Sequence, residues 1–111
     1  MNPARRNIPI WRGNTETLTF RLKNADGLPS DLTGNSIKMV IDNDGTLTNV
    51  AATIATPQSD GKFTIFLSAD VTKILTAKNY VPNYEIQRTS GAETKTVLYG
   101  NLHITGSTNH D

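Results

Sequence analysis

A chain of 111 residues with eleven basic and ten acidic side chains, a net charge of +1 and no cysteine has room for one domain with one modest core. The lack of cysteine excludes disulfide staples, thiol nucleophiles and zinc–thiolate sites, and the near-neutral balance leaves no electrostatic footprint for nucleic acid or an anionic membrane. No stretch approaches the roughly 18–20 apolar residues of a membrane span, and the opening MNPARRNIPIW has no continuous apolar run of the kind that marks a secretion signal. Synthesis in the cytoplasm is therefore expected.

Residues 1–7 form an N-terminal arm in this reading. They offer Met1 alone as an apolar anchor and carry Arg5 and Arg6 side by side, two guanidinium groups suited to bidentate pairing with carboxylates of a neighbouring subunit. A first strand is expected at 8–12. Residues 15–23, TETLTFRLK, place Leu18, Phe20 and Leu22 on one side and Thr17, Thr19, Arg21 and Lys23 on the other, the period-two pattern of a half-buried strand. The stretch NADGLPSDLTG, residues 24–34, supplies turn chemistry. SIKMVID then alternates again with Ile37, Met39 and Ile41 inward, and Asn43-Asp44-Gly45 is a second turn. TLTNVAATIAT reads as one thin edge strand with Val50, Ala52 and Ile54 toward the core.

After the break at 57–61, KFTIFLS puts Phe63, Ile65 and Leu67 on one face. Ser68 is placed to cap a short helix over 69–77, with Asp70 in its first turn and Val71, Ile74 and Leu75 at helical spacing, ending near Lys78-Asn79. Residues 80–89 resume extended structure with Tyr84 and Ile86 inward after Pro82, and ETKTVLYGNLHIT is the last strand. A bulge at Gly100 turns Val97, Tyr99, Leu102 and Ile104 inward; a regular strand turns Leu98, Leu102 and Ile104 inward and Tyr99 outward. The break in alternation favours the bulge.

Together these elements predict an all-β domain, an immunoglobulin-like antiparallel β-sandwich of about seven strands with one short helix, spanning residues 8–106. Residues 107–111 are expected to form a flexible tail. The passage from LSADVT to YEI is comparable to the corner before strand F of immunoglobulin domains, which would make Tyr84 a structural corner residue whose hydroxyl bonds upstream backbone.

The chain offers little catalytic chemistry. His103 and His110 lack a second ligand at metal-binding spacing, no G-x-S-x-G elbow is present, and DNDGT at 42–46 puts Gly45 and Thr53 at the fourth and twelfth positions, where an EF-hand needs Gly at the sixth and Glu at the twelfth. Asp26, Asp31, Asp60 and Asp70 stand beside turns or a helix start, where aspartate bonds local backbone; a surface Ca²⁺ site is the lesser alternative. No cofactor is implied. Trp11, Tyr80, Tyr84 and Tyr99 are candidates for sugar stacking, although scattered aromatics in a small β domain usually belong to core or strand pairs. Val40 and Phe66 fall at outward positions and are candidate interface residues together with Arg5, Arg6 and Trp11.

The segment WRGNTETLTFRLKNADGLPSDLTGNSIKMVI resembles the N-terminal domain of baseplate upper proteins, a family of small phage and prophage virion domains. The matching residues are Trp11-Arg12-Gly13-Asn14, with Asn14 where an acidic residue is more usual, Asp26-Gly27-Leu28-Pro29 and Asp31-Leu32-Thr33-Gly34. DGKFTIFLSADVT and YGNLHI resemble the family's second half. In this light Asp26, Gly27, Pro29, Asp31 and Gly34 are architecture: Gly27 takes a positive φ, Pro29 stiffens the exit, Asp31 bonds backbone near Thr33, and Leu32 plugs the space beneath. The resemblance implies a noncatalytic virion protein, localised to the particle as a tail, baseplate or adaptor component, whose partners are other virion proteins in a symmetric assembly. A capsid decoration or head-fibre module, a glycan-binding sandwich and a small hydrolase are the competing expectations.

Overall fold

The structure, a computed structural model, describes residues 4–43, 45–75 and 82–105. Expectations for residues 1–3, Asp44, Tyr80, His110 and the tail at 107–111 lie outside the described residues. The strands are β1 (Ala4–Arg5), β2 (Ile8–Trp11), β3 (Glu16–Arg21), β4 (Ser36–Asn43), β5 (Thr46–Ala51), β6 (Thr53–Ile54), β7 (Lys62–Leu67), β8 (Asn83–Ser90) and β9 (Glu93–Thr105), with one helix, α1 (Ala69–Ile74). One sheet runs β1-β9-β8-β4-β5 with β2 also on β9, and the other runs β3-β7-β6. Setting β3, β7 and β6 against β9, β8, β4 and β5 reproduces the division of strands in immunoglobulin-type sandwiches. The fold is an immunoglobulin-like all-β sandwich.

The inward alternation builds the core as expected. Phe20, Ile37, Met39, Ile41, Phe63, Ile65, Leu67, Tyr84, Ile86 and Leu102 are all buried between the sheets, joined by Ile8 and Ile10 from β2 and by Leu32 and Leu75. Phe20 and Phe63, opposite each other in register, stack with centroids 5.3 Å apart. The Ser68 hydroxyl caps α1 by accepting from Val71 N–H at 3.3 Å.

Five expectations are corrected. First, the sandwich is not wholly antiparallel, because β1 and β2 both run parallel to β9. Second, residues 4–7 are not a free arm. Ala4 and Arg5 pair with Leu98 and Tyr99, Arg6 N–H donates to Tyr99 C=O at 2.8 Å, and the register resumes unchanged at Ile8 opposite Leu102. Backbone pairing supplies this attachment, so it needs none of the apolar side chains whose absence suggested an arm. Third, 46–56 is not one edge strand: it leaves the larger sheet at Ala52, whose N–H still reaches Ile37 C=O at 2.8 Å, and joins the smaller sheet as β6.

Fourth, the helix ends at Ile74 instead of running to 77, because Leu75 turns to extended backbone as its C-cap; Thr72 is its buried residue, Ile74 is 54% exposed, and Leu75 is buried just past the helix end. Fifth, the bulge is at Val97. Ile86 pairs with Leu98 and Gln87 with Thr96, which leaves Val97 as the extra residue, while Gly100 pairs regularly with Tyr84 and Tyr99 faces out at 41% exposure. Gly100 is required for another reason: a Cβ there would collide with the Arg6 carbonyl. Gly100→Ala should therefore displace the first strand and cost about 3 kcal/mol, the upper end of the overpacking range; a denaturant midpoint unchanged from wild type would contradict this.

Candidate functional site

The loop at 24–34 consumes its own polar groups. Asp26 Oδ1 accepts from Leu28 N–H at 3.0 Å, and Asn24 Oδ1 accepts from the buried Ser30 hydroxyl at 2.7 Å. Gly27 and Gly34 have φ of 85° and 76°, the left-handed region that side chains avoid. Pro29 forms the bridge to Lys23 that closes the small hairpin. Asp31 Oδ1 accepts from both Thr33 N–H at 3.0 Å and the Thr33 hydroxyl at 2.6 Å. The Thr33 hydroxyl bond first, then the Thr33 N–H and the charge of Arg88, holds the Asp31 carboxyl below its ordinary value. Leu32 is fully buried beneath.

Sequence reasoning missed Arg88. From β8 its Nε donates to Asn35 Oδ1 at 2.6 Å and its Nη2 to Asp31 C=O at 2.9 Å, stapling the loop to the larger sheet. Thr72 was missed as well. Its buried hydroxyl accepts from Gly13 N–H at 3.0 Å and donates to Asn14 C=O at 2.7 Å, so α1 clamps the turn that carries the chain from one sheet to the other. Neither has a local signal, because the contacts span more than fifty residues.

Tyr84 uses its hydroxyl structurally, though with a different partner from an immunoglobulin corner. The hydroxyl donates to Arg6 C=O at 2.6 Å, 78 residues away, satisfying a carbonyl at the interruption between β1 and β2. Burial pushes its pKa up to about 12.

The candidate contact residues do not converge. Trp11 ends β2 and is 52% exposed, and Phe66 on β7 is 54% exposed. Val40 is half-buried on the outer face of the larger sheet, while Phe66 lies on the outer face of the smaller one, so they form no common patch. Arg6 turns its guanidinium over the Phe20 ring at 5.4 Å, whereas Arg5 points to the outer face. There a cross-strand row runs Arg5, Tyr99, Glu85, Val40, Asn49. Part of this row floors an open depression of about 460 Å³ that also includes Asn83, Thr96 and Asn101; Glu85 within it accepts from the Thr96 hydroxyl at 2.6 Å.

Among the described residues no three His, Cys, Asp or Glu side chains gather as a metal site, and His103 is exposed on β9. Asp42 closes the 42–45 turn by accepting from Gly45 N–H at 2.9 Å. No described helix is long and apolar enough to cross a membrane.

No family model matches the chain, and no curated protein matches it. A solved structure from Bacteroides vulgatus, provisionally assigned as a glycoside hydrolase, is similar over 93% of this chain and 17% of its own, at 11% identity and a TM-score of 0.47. The chain thus spans a small part of that protein, and so distant a likeness transfers no activity.

Two outcomes test the structural roles. Tyr84→Phe leaves the Arg6 carbonyl without this donor and should cost about 1–3 kcal/mol. Because the folded pKa of Tyr84 is raised, its contribution is fully present below pH 10 and fades as pH rises through about 12, so the stability gap should close there. For Asp31 the sign is opposite. Its folded pKa is lowered, so the advantage of wild type over Asp31→Asn, read as a Tm difference, should be present above pH 3.8 and disappear as pH falls below it.

Proposed function

We propose that the chain is a noncatalytic structural protein of a tailed-phage virion, a tail, baseplate or adaptor component held in place by other virion proteins. The supporting observation is the dispersal of the exposed aromatics among the described residues. Tyr99 lies in the middle of β9, Trp11 is paired six residues further along that strand, about 20 Å away, and Phe66 is on the opposite sheet. A subunit in a symmetric assembly is touched on several sides, whereas an enzyme gathers ionisable groups in one cleft. The spending of Asp26 and Asp31 on local backbone bonds fits the same reading, since the motif shared with baseplate domains then builds a corner. A capsid decoration or head-fibre module differs from this only in location.

A glycan-binding module is the second reading, favoured by one observation: Tyr99 sits in the outer-face depression between Arg5 and Glu85, an aromatic face flanked by hydrogen-bonding groups. The two readings part experimentally. Particles assembled with an epitope-labelled chain should carry the label at a fixed position in electron micrographs, in stoichiometric copy number after gradient purification. A chain left wholly in the unassembled fraction would refute the virion reading, and retention on a glycan array that Tyr99→Ala abolishes would establish the second.

A further inference from the structure

We propose that the open flank of the sandwich, along the free edge of β3, takes an extended segment of a partner protein with alternating apolar and acidic residues as an added strand. The inference rests on the chain working through protein contacts, and it names the kind of contact. One flank of the sandwich is sealed, because β5 passes into β6 across the two sheets. The other is not sealed by any described strand, because among the described residues β3 pairs with β7 alone. Leu22 N–H donates to Gly61 C=O at 2.7 Å, on the β7 side. Antiparallel alternation therefore turns the backbone groups of Thr17, Thr19 and Arg21 outward, a row available for strand addition.

Beside this edge lies a crevice of about 250 Å³ between β3 and the β1–β9 pair. Phe20, Leu22 and Phe63 contribute apolar surface, and Arg6, Arg21 and Lys23 are its cations, with no carboxylate among the described residues that line it. Arg21 also meets Asp60 at 3.5 Å, but that pair is half-exposed and therefore weak. The pleat sets the pattern of the incoming strand. Its inward side chains meet Phe20 and Leu22 and must be apolar, while its outward ones stand beside Thr19, Arg21 and Lys23, where carboxylates make favourable cross-strand pairs. Cations on an edge strand repel another copy of the same edge; an acidic strand is what they admit.

The test uses the full chain and an eight-residue synthetic peptide alternating valine and glutamate, followed by fluorescence anisotropy. Binding should be lost when alternate backbone nitrogens of the peptide are methylated, and should fall at least about tenfold when lysine replaces glutamate. Thr19→Pro removes an outward N–H and should abolish binding. Arg21→Glu, an exposed change that keeps the chain folded, should weaken binding by about tenfold and cover the case in which the proline variant fails to fold. Equal binding of the methylated or the lysine peptide, or no binding of the glutamate peptide, would overturn the proposal. Peptide binding by a chain absent from particles would break the virion reading while leaving the edge site standing. Full incorporation of folded Thr19→Pro and Arg21→Glu chains would remove the edge from assembly while leaving the virion reading intact.

Discussion

The hydrogen bond from the Tyr84 hydroxyl to the Arg6 carbonyl ties the first strands to the middle of the larger sheet, and the contacts of Arg6 with the other sheet follow from it. Tyr84 is buried in the middle of the larger sheet, and a phenol there needs a partner. The interruption between β1 and β2 supplies an acceptor that would otherwise go without a strand partner. Reaching it requires the first strand to lie close against β9, which is possible only because residue 100 has no Cβ. Once held, Arg6 covers Phe20 and Phe20 stacks on Phe63. A continuous line of contacts thus runs from β8 through the chain's beginning to β7 in the other sheet.

Side-chain periodicity made much of this legible. β3, β4, β7 and β8 announce themselves because each has one wet and one dry face, and the buried set from these strands is the alternating set. The loop at 24–34 was equally readable, since Asp and Gly act on residues two or three positions away. What escaped was whatever depends on backbone or on distant neighbours. β1 has no apolar face because parallel pairing alone attaches it. Gly100 looked like a bulge, although its cause is Arg6 arriving from the far end of the chain. Arg88 and Thr72 carry hydrogen bonds to partners more than fifty residues away, which no local pattern records. Val40 and Phe66 could be recognised as outward, but only the sheet assignment separates them onto different faces.

The side chains divide between two tasks. The polar ones near turns, Asp26, Asp31, Asp42 and Thr72, are committed to local backbone or to joining elements, and they fix the corners of the sandwich. Among the described residues the exposed aromatic ones, Trp11, Phe66 and Tyr99, are far apart. A rigid frame with scattered contact points suits a part that is fitted among neighbours better than one that closes around a small substrate, and it is this division that the proposed role draws on.

The parallel pairing of the first and last strands has a mechanical consequence. The chain enters beside Leu98 and leaves after Thr105, so tension applied to the two ends pulls β1 and β2 one way along β9 and β9 the other. Such a load shears the pair lengthwise. The backbone bonds from Ala4 to Trp11 then share the force and must give way together, whereas a hairpin pulled from its open end peels one bond at a time. The Tyr84 bond to Arg6 lies across the direction of slip and acts as a pin. A pull along this direction therefore meets the pair in shear and not in peeling.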